Sequence, residues 1–310
     1  MINRELIRLK VVQLVYAYYR NEGKTAELAE KELEFSLDKA YELYEYLLTL
    51  LVEMRKLAER RDETARARSK RLGTVMTGCS ADGQFAANRL LRQLEENKAL
   101  LDYRENRKQD WIEEEAFVKK LYAQFVESDT YQMYLTKEDF GYAADRELIR
   151  KLYKTFVDGN EDFDSLLEEH SLYWNDDKEI VDSFVLKTIK RFNEETTPEQ
   201  PLLPKYASED DHEFARRLFR ATIDRGEEIR TLLRENCKNW KFERLAVMDV
   251  IIMQIALAEI LTFPGIPVNV SFNEYLDIAK VYSTPRSASY INGLLDFVVK
   301  KLKSDGVILK

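Results

Sequence analysis

The sequence predicts an all-α protein, and three observations lead there. Only 10 Gly and 6 Pro occur in 310 residues, and every proline lies at or beyond Pro198. Leu, Glu, Lys, Arg and Ala dominate, which are strong helix formers. Apolar residues recur at i, i+3 and i+4 through most of the chain. With 45% of its residues hydrophobic, the chain can bury a large core as one domain or two.

The elements follow in order. Leu6, Leu9, Val12, Gln13 and Tyr16 keep helical spacing, with Arg4 and Arg8 on another side of the same helix, and Gly23 breaks it. Thr25 is a reasonable N-cap for a long helix whose stripe runs Leu33, Leu37, Tyr41, Tyr44, Leu48 and Leu51, to about Arg61. A basic segment, Arg60 to Arg71, leads into Gly73, Thr74, Thr77, Gly78, Ser80, Asp82 and Gly83, read as an exposed loop and a boundary. Further helices are expected over Phe85 to Leu101, Trp111 to Val126, Leu148 to Val157 and Ile180 to Phe192. Thr196, Thr197, Pro198, Pro201 and Pro204 mark a linker, because proline fixes φ and removes a donor. Beyond it, Asp211 to Cys237 reads as one amphipathic helix and Phe242 to Leu261 as a buried one. Ser271 with Glu274 is a capping-box pattern, and Thr284 before Pro285 an N-cap with proline at the first helical position.

The net charge of −8 is unevenly spread. Residues 1–72 and 236–310 are each +2, whereas residues 73–235 are −12. The mildly basic ends could meet a phosphate backbone locally, within about a Debye length of 8–10 Å. Cys79 and Cys237 are too few for a disulfide framework, and no apolar run approaches the roughly 20 residues of a membrane helix. A cytoplasmic protein without a membrane span is therefore expected.

Catalytic chemistry finds little support. His170 and His212 have no ligand-spaced partner, and the glycines form no nucleotide-binding loop, so no metal, no cofactor and no enzyme are expected. Asp158, Asn160, Asp162, Asp164 and Glu169 fit a calcium-loop register, but Phe163 stands where the sharp turn needs glycine, favouring an acidic helix start. Arg4, Arg8 and Lys10 could contact phosphates or form an ordinary solvated face. Asp249, in an otherwise apolar helix, must be paired or face a partner. Gly293, inside the last helix, suggests that something packs closely there, either a neighbouring helix or a ligand, with helix packing the default.

The C-terminal third then carries a resemblance. Trp240, Glu243, Arg244, Val247-Met248-Asp249, Ile255-Ala256-Leu257-Ala258-Glu259, Ile266-Pro267, Val270, Phe272-Asn273-Glu274, Ala279-Lys280 and Tyr290-Ile291-Asn292-Gly293-Leu294-Leu295-Asp296 resemble the signature of the NusB family of transcription antitermination factors, as does Arg8 with Gln13-Leu14-Val15-Tyr16 near the start. The resemblance covers roughly residues 1–60 and 209–303. It implies an all-α NusB-like bundle of two subdomains, enlarged by an inserted helical region: residues 1–72 and 209–310 would hold the family's helices, and residues 73–208 an acidic helical insertion ending in the Pro-rich linker. It further implies a non-catalytic protein that binds boxA RNA of ribosomal RNA leaders together with ribosomal protein NusE and joins the antitermination complex on RNA polymerase, as a monomer or weak homodimer. Arg4, Arg8 and Lys10 would meet RNA, with Tyr290 and Asn292 as aromatic and amide contacts. Tyr16 and Asp249 would face NusE. Glu5 and Leu6 stand where further bases are usual, and Gln254 where arginine is common; Arg286 is placed to compensate. On this basis Arg8→Glu is expected to weaken RNA binding with stability nearly unchanged, and Asp249→Lys to abolish NusE binding without unfolding. The competing reading is a helical protein scaffold of the same fold that binds no RNA.

Overall fold

Fifteen α-helices make up nearly all regular structure among the described residues, and strand pairing is limited to an isolated bridge between Ile2 and Tyr206. The structure, a computed structural model, describes residues 1–310 other than 22, 75–77, 107–110, 112–113, 138–139, 175, 238–241 and 285. Trp240, Thr77 and Pro285 of the patterns above therefore lie outside the described residues. Two compact units are present. The terminal unit comprises Ile2–Asp38 and Lys205–Lys310; the middle unit comprises Lys39–Pro204 with Met1.

Helix α1 (Arg4–Arg20) starts where the Asn3 side chain accepts the Leu6 N–H at 3.0 Å. Helix α2 (Ala26–Arg71) begins at Thr25, whose hydroxyl accepts the Leu28 N–H at 3.3 Å. It does not end near Arg61 but continues through the basic segment. Ala65, Ala67 and the long charged side chains favour the helix, an Asp62–Arg66 pair at 2.7 Å bridges one turn, and Arg68, Lys70 and Arg71 complement the negative end of the dipole. Gly73, with φ +67°, follows the end.

In the middle unit the helix expected over Phe85 to Leu101 is three: α3 (Ala81–Ala86), α4 (Arg89–Glu96) and α5 (Lys98–Asn106). Asn88 and Asn97 cause the breaks. Each is buried, and their side chains accept the N–H of Leu91 (3.1 Å) and Leu100 (3.3 Å), starting a new helix in place of the old. Next come α6 (Glu115–Val126), α7 (Asp129–Leu135), α8 (Tyr142–Leu152) running into a π-turn at Tyr153–Val157, α9 (Glu161–His170) and α10 (Lys178–Arg191). Within the calcium-like register Asn160 caps α9 at Phe163 N (3.1 Å), while Asp162 and Asp164 meet Lys120 and Lys178. Tyr46 stacks against Trp111 and Trp174, with centroids 4.2 and 5.3 Å away. The Pro-rich stretch is no free tether: Lys98 N–H donates to Pro198 O at 2.9 Å, the Asn97 amide to Gln200 O at 2.7 Å, and Leu202 and Leu203 are buried.

Back in the terminal unit, the helix expected over Asp211 to Cys237 is divided into α11 (Glu209–Asp224) and α12 (Gly226–Asn236). A Cβ on Gly226 would stand 2.6 Å from the Tyr19 hydroxyl, so the break lies where only glycine fits. Helix α13 (Val247–Thr262) is buried from Asp249 to Ile260 and packs against α1, α11, α12, α14 (Val268–Tyr282) and α15 (Ser287–Ser304). Helix α14 starts ahead of Ser271. Ser271 is therefore not its cap, and its hydroxyl donates instead to Glu259 Oε1 at 2.7 Å.

Candidate nucleic-acid interface

The residues singled out from the sequence divide by burial. Arg4 is exposed, pairs with Asp211 at 3.2 Å and lies 4.9 Å above the Phe214 ring. Arg8 is the opposite case, only 3% exposed. Its guanidinium donates to both Glu259 oxygens at 2.8 and 2.9 Å and pairs with Glu274 at 3.1 Å. Ser271 and Tyr275 hydroxyls complete the shell around Glu259. Burial alone would lower the Arg8 pKa, but its hydrogen bonds to Glu259 and the surrounding negative charge hold it above the usual arginine value. Burial likewise raises Glu274 against the pull of Arg8. Arg8 thus fastens α1 to α13 and α14, which corrects its expected place on a solvated, phosphate-facing side. Lys10 is buried too.

Asp249 is also an internal group here. It is buried, and it accepts hydrogen bonds from Ser283 and, at 2.8 Å, from Ser287, tying the start of α15 to α13. Of the two alternatives the sequence leaves for this carboxylate, the structure has the paired one. Tyr16 remains partly exposed on α1. Gln254, at a position where arginine is common in the family resembled, is fully buried and satisfied: its amide donates to Tyr19 Oη and Thr222 O at 2.8 Å each and accepts from Arg230 Nε at 2.8 Å.

Helix α15 presents the surface that can meet a nucleic acid. Arg286, Tyr290, Phe297 and Lys301 share one face by helical spacing, with Gly293 between them. Among the described residues nothing lies within 4 Å of the place a Cβ on Gly293 would take, so no described neighbouring helix packs closely there and the alternative of space for a ligand stays open. The glycine instead opens a cleft of about 350 Å³ bordered by Asn236, Cys237, Ser289, Tyr290, Leu294 and Phe297. Phe297 is 41% exposed. Tyr290 Oη is 3.1 Å from Cys237 Sγ, and partial burial, Cys237 and Asp249 hold its pKa above the usual tyrosine value, so the phenol stays protonated. Lys301 reaches the Asn236 amide oxygen at 3.5 Å.

The arrangement offers two rings for stacking and cations for phosphate, while the buried Asn236 amide is engaged by Leu232 O and Lys301. Asn292 does not join it: two residues on from Tyr290, it points roughly 200° around the helix and is exposed on another side. The sequence pattern does not single out Phe297 or Lys301, although the spacing of seven from Tyr290 to Phe297 is present in it. Among the described residues no group of three or more His, Cys, Asp and Glu could hold a metal ion.

Comparison with known proteins gives the same region a family. The model of the NusB family matches residues 179–300. The chain is 37% identical over 98 residues to the transcription antitermination protein NusB of Salinibacter ruber, covering 32% of this chain and 61% of that one. It is 37% identical over 98 residues to the protein of the same name from Chloroherpeton thalassium, covering 32% and 46% respectively. With that of Koribacter versatilis it shares 39% identity over 101 residues, 33% of this chain and 69% of the relative. The chain thus spans roughly half to two thirds of the length of these relatives. No solved structure matches it. From the match over α10 to α15, and from a relative covered over more than two thirds of its length, the chain belongs to the NusB family.

Proposed function

We propose that this protein is a transcription antitermination factor that binds boxA RNA of ribosomal RNA leaders together with ribosomal protein NusE and joins the antitermination complex on RNA polymerase. It acts by binding alone, in the cytoplasm, and no described helix is long and apolar enough to cross a membrane. The observation that carries the reading is the α15 face, where Arg286, Tyr290, Phe297 and Lys301 line up beside an open cleft within and next to the family match. Unpaired bases stack on such rings and phosphates meet such cations. Arg4 adds an exposed cation on α1, and Tyr16 offers NusE a partly exposed ring there. Arg8 and Lys10 support this surface from inside, and Asn292 is left for contacts on the other side of α15.

The test is a fluorescence-anisotropy titration of boxA RNA against a scrambled control, with and without NusE, at two salt concentrations. Selective binding that tightens with NusE is the expected result. Equal or absent binding to both RNAs, with NusE still captured, would replace this reading with the protein scaffold.

A further inference from the structure

The end of α2 stands in solvent among the described residues. From Glu63 to Leu72 every residue is exposed except the partly exposed Ser69. Residues 60–71 carry six basic and two acidic side chains, in a chain that is −8 overall. Arg61 pairs with Asp82 at 3.3 Å and Arg66 with Asp62 at 2.7 Å, whereas Arg60, Arg68, Lys70 and Arg71 make no ion pair among the described residues. At about 100° per residue, Arg60, Arg68 and Arg71 fall within an arc of about 80°, with Thr64 between them. They span about 16 Å, the length of roughly five nucleotides at 3.4 Å per step.

We propose that this stripe is a second RNA contact, which holds the phosphate backbone without reading sequence; the proposal rests on the RNA-binding function above. Its composition selects the partner. The uncharged residues between Arg60 and Arg71 are Thr64, Ala65, Ala67 and Ser69, and Leu72, 67% exposed, is the single large apolar side chain beside them, which is neither the cluster of apolar anchors of a protein interface nor the apolar face of a helix lying on lipid. Small side chains between the arginines let a backbone come close, and guanidinium forks match phosphate oxygens. Helix-end cations also complement the dipole, but that needs only the last turn, and Arg60 lies three turns earlier.

The test compares two labelled RNAs on the full chain: boxA of about 12 nucleotides, and the same RNA extended by about 16 unrelated unstructured ones, long enough to lie along the stripe. Wild type is measured against R60Q/R68Q/R71Q and R60K/R68K/R71K, all at exposed positions, and circular dichroism confirms the fold. The extension should tighten wild-type binding. The Gln variant should lose roughly tenfold in affinity for the long RNA and about 2 in the slope of log affinity against log salt, at about 0.7 per single-strand phosphate. The Lys variant should keep most of both, and the short RNA should bind all three alike. Equal affinity and slope for wild type and Gln variant on the long RNA, with the short one still bound, would overturn the stripe alone. Absence of binding to either RNA would remove both proposals. Stronger competition by poly-glutamate than by unrelated RNA of equal charge would assign the stripe to an acidic protein and overturn it as well.

Discussion

The two units bury their polar side chains differently. In the terminal unit three polar residues of the single helix α13, Asp249, Gln254 and Glu259, each hold a different neighbour: the start of α15, the α1–α12 contact, and Arg8 with α14. In the middle unit α2 also joins several neighbours, Tyr44 to Thr188 at 2.6 Å, Thr49 to Trp111 at 3.0 Å and Arg55 to Ala86 O and Glu95 at 2.8 and 2.7 Å, but none of these three is a carboxylate, and the carboxylates held by tyrosines are scattered over separate helices. There, the buried Asp145 and Asp182 and the partly exposed Asp82 are each clasped by one tyrosine hydroxyl, from Tyr134, Tyr153 and Tyr122, at 2.6, 2.6 and 2.7 Å. A hub concentrates risk in one helix, because each buried group left alone is strongly unfavourable, whereas separate clasps limit the damage to one junction.

The largest effect should come from breaking the hub. Arg8→Ala leaves Glu259 buried without its cation and should lower stability by about 3–5 kcal/mol in urea unfolding. Arg8→Glu should be worse, contrary to the neutral outcome expected from the sequence, and Asp249→Lys should unfold the terminal unit before NusE binding can be assayed. If Arg8→Ala unfolds like wild type, the hub is not what holds α1.

An intermediate effect belongs to the middle unit and to pH. Burial raises Asp182 to about 6 despite its pair with Lys178 at 2.8 Å. Its folded-state pKa lies above the unfolded one, so the native state binds more protons between about pH 4 and 6, and its contribution to stability is lost as pH rises through that window. Wild type should therefore lose melting temperature relative to Asp182→Asn between pH 4 and 6.5. A constant difference across that range would contradict the assignment.

The smallest stability effect should be at the α15 face. Tyr290→Ala removes a half-buried ring and should leave thermal stability close to wild type while weakening boxA binding by about 1–3 kcal/mol, the usual worth of one base stacked on an aromatic ring. Melting curves and anisotropy read the two separately, and unchanged affinity would move the RNA away from this cleft.

The fold class was legible because helix formers, absent prolines and the apolar run of α13 all point the same way. What was hidden is nonlocal. Arg8 follows Arg4 by one turn and reads as a solvated face, but its partner Glu259 stands 251 residues away. Ser271 with Glu274 satisfies a local capping pattern that a distant carboxylate overrides. Asn88 and Asn97 could have signalled the breaks in the second quarter of the chain, since asparagine favours caps over helix interiors. At Gly293 the sequence leaves a neighbouring helix and a ligand as alternatives, and only the structure shows that no described neighbour fills the space beside it.

The placement of α13 also sets an order of assembly. Helix α1 leaves the ribosome more than two hundred residues before α13, about 10–45 s earlier at roughly 5–20 residues per second. Its Leu6, Ile7, Val11 and Val12 remain without their packing partners for that time, while the middle unit has all of its own chain available as soon as Pro204 has emerged. Newly made chains should therefore acquire the middle unit first, and the nascent protein would need protection at its beginning rather than at its centre.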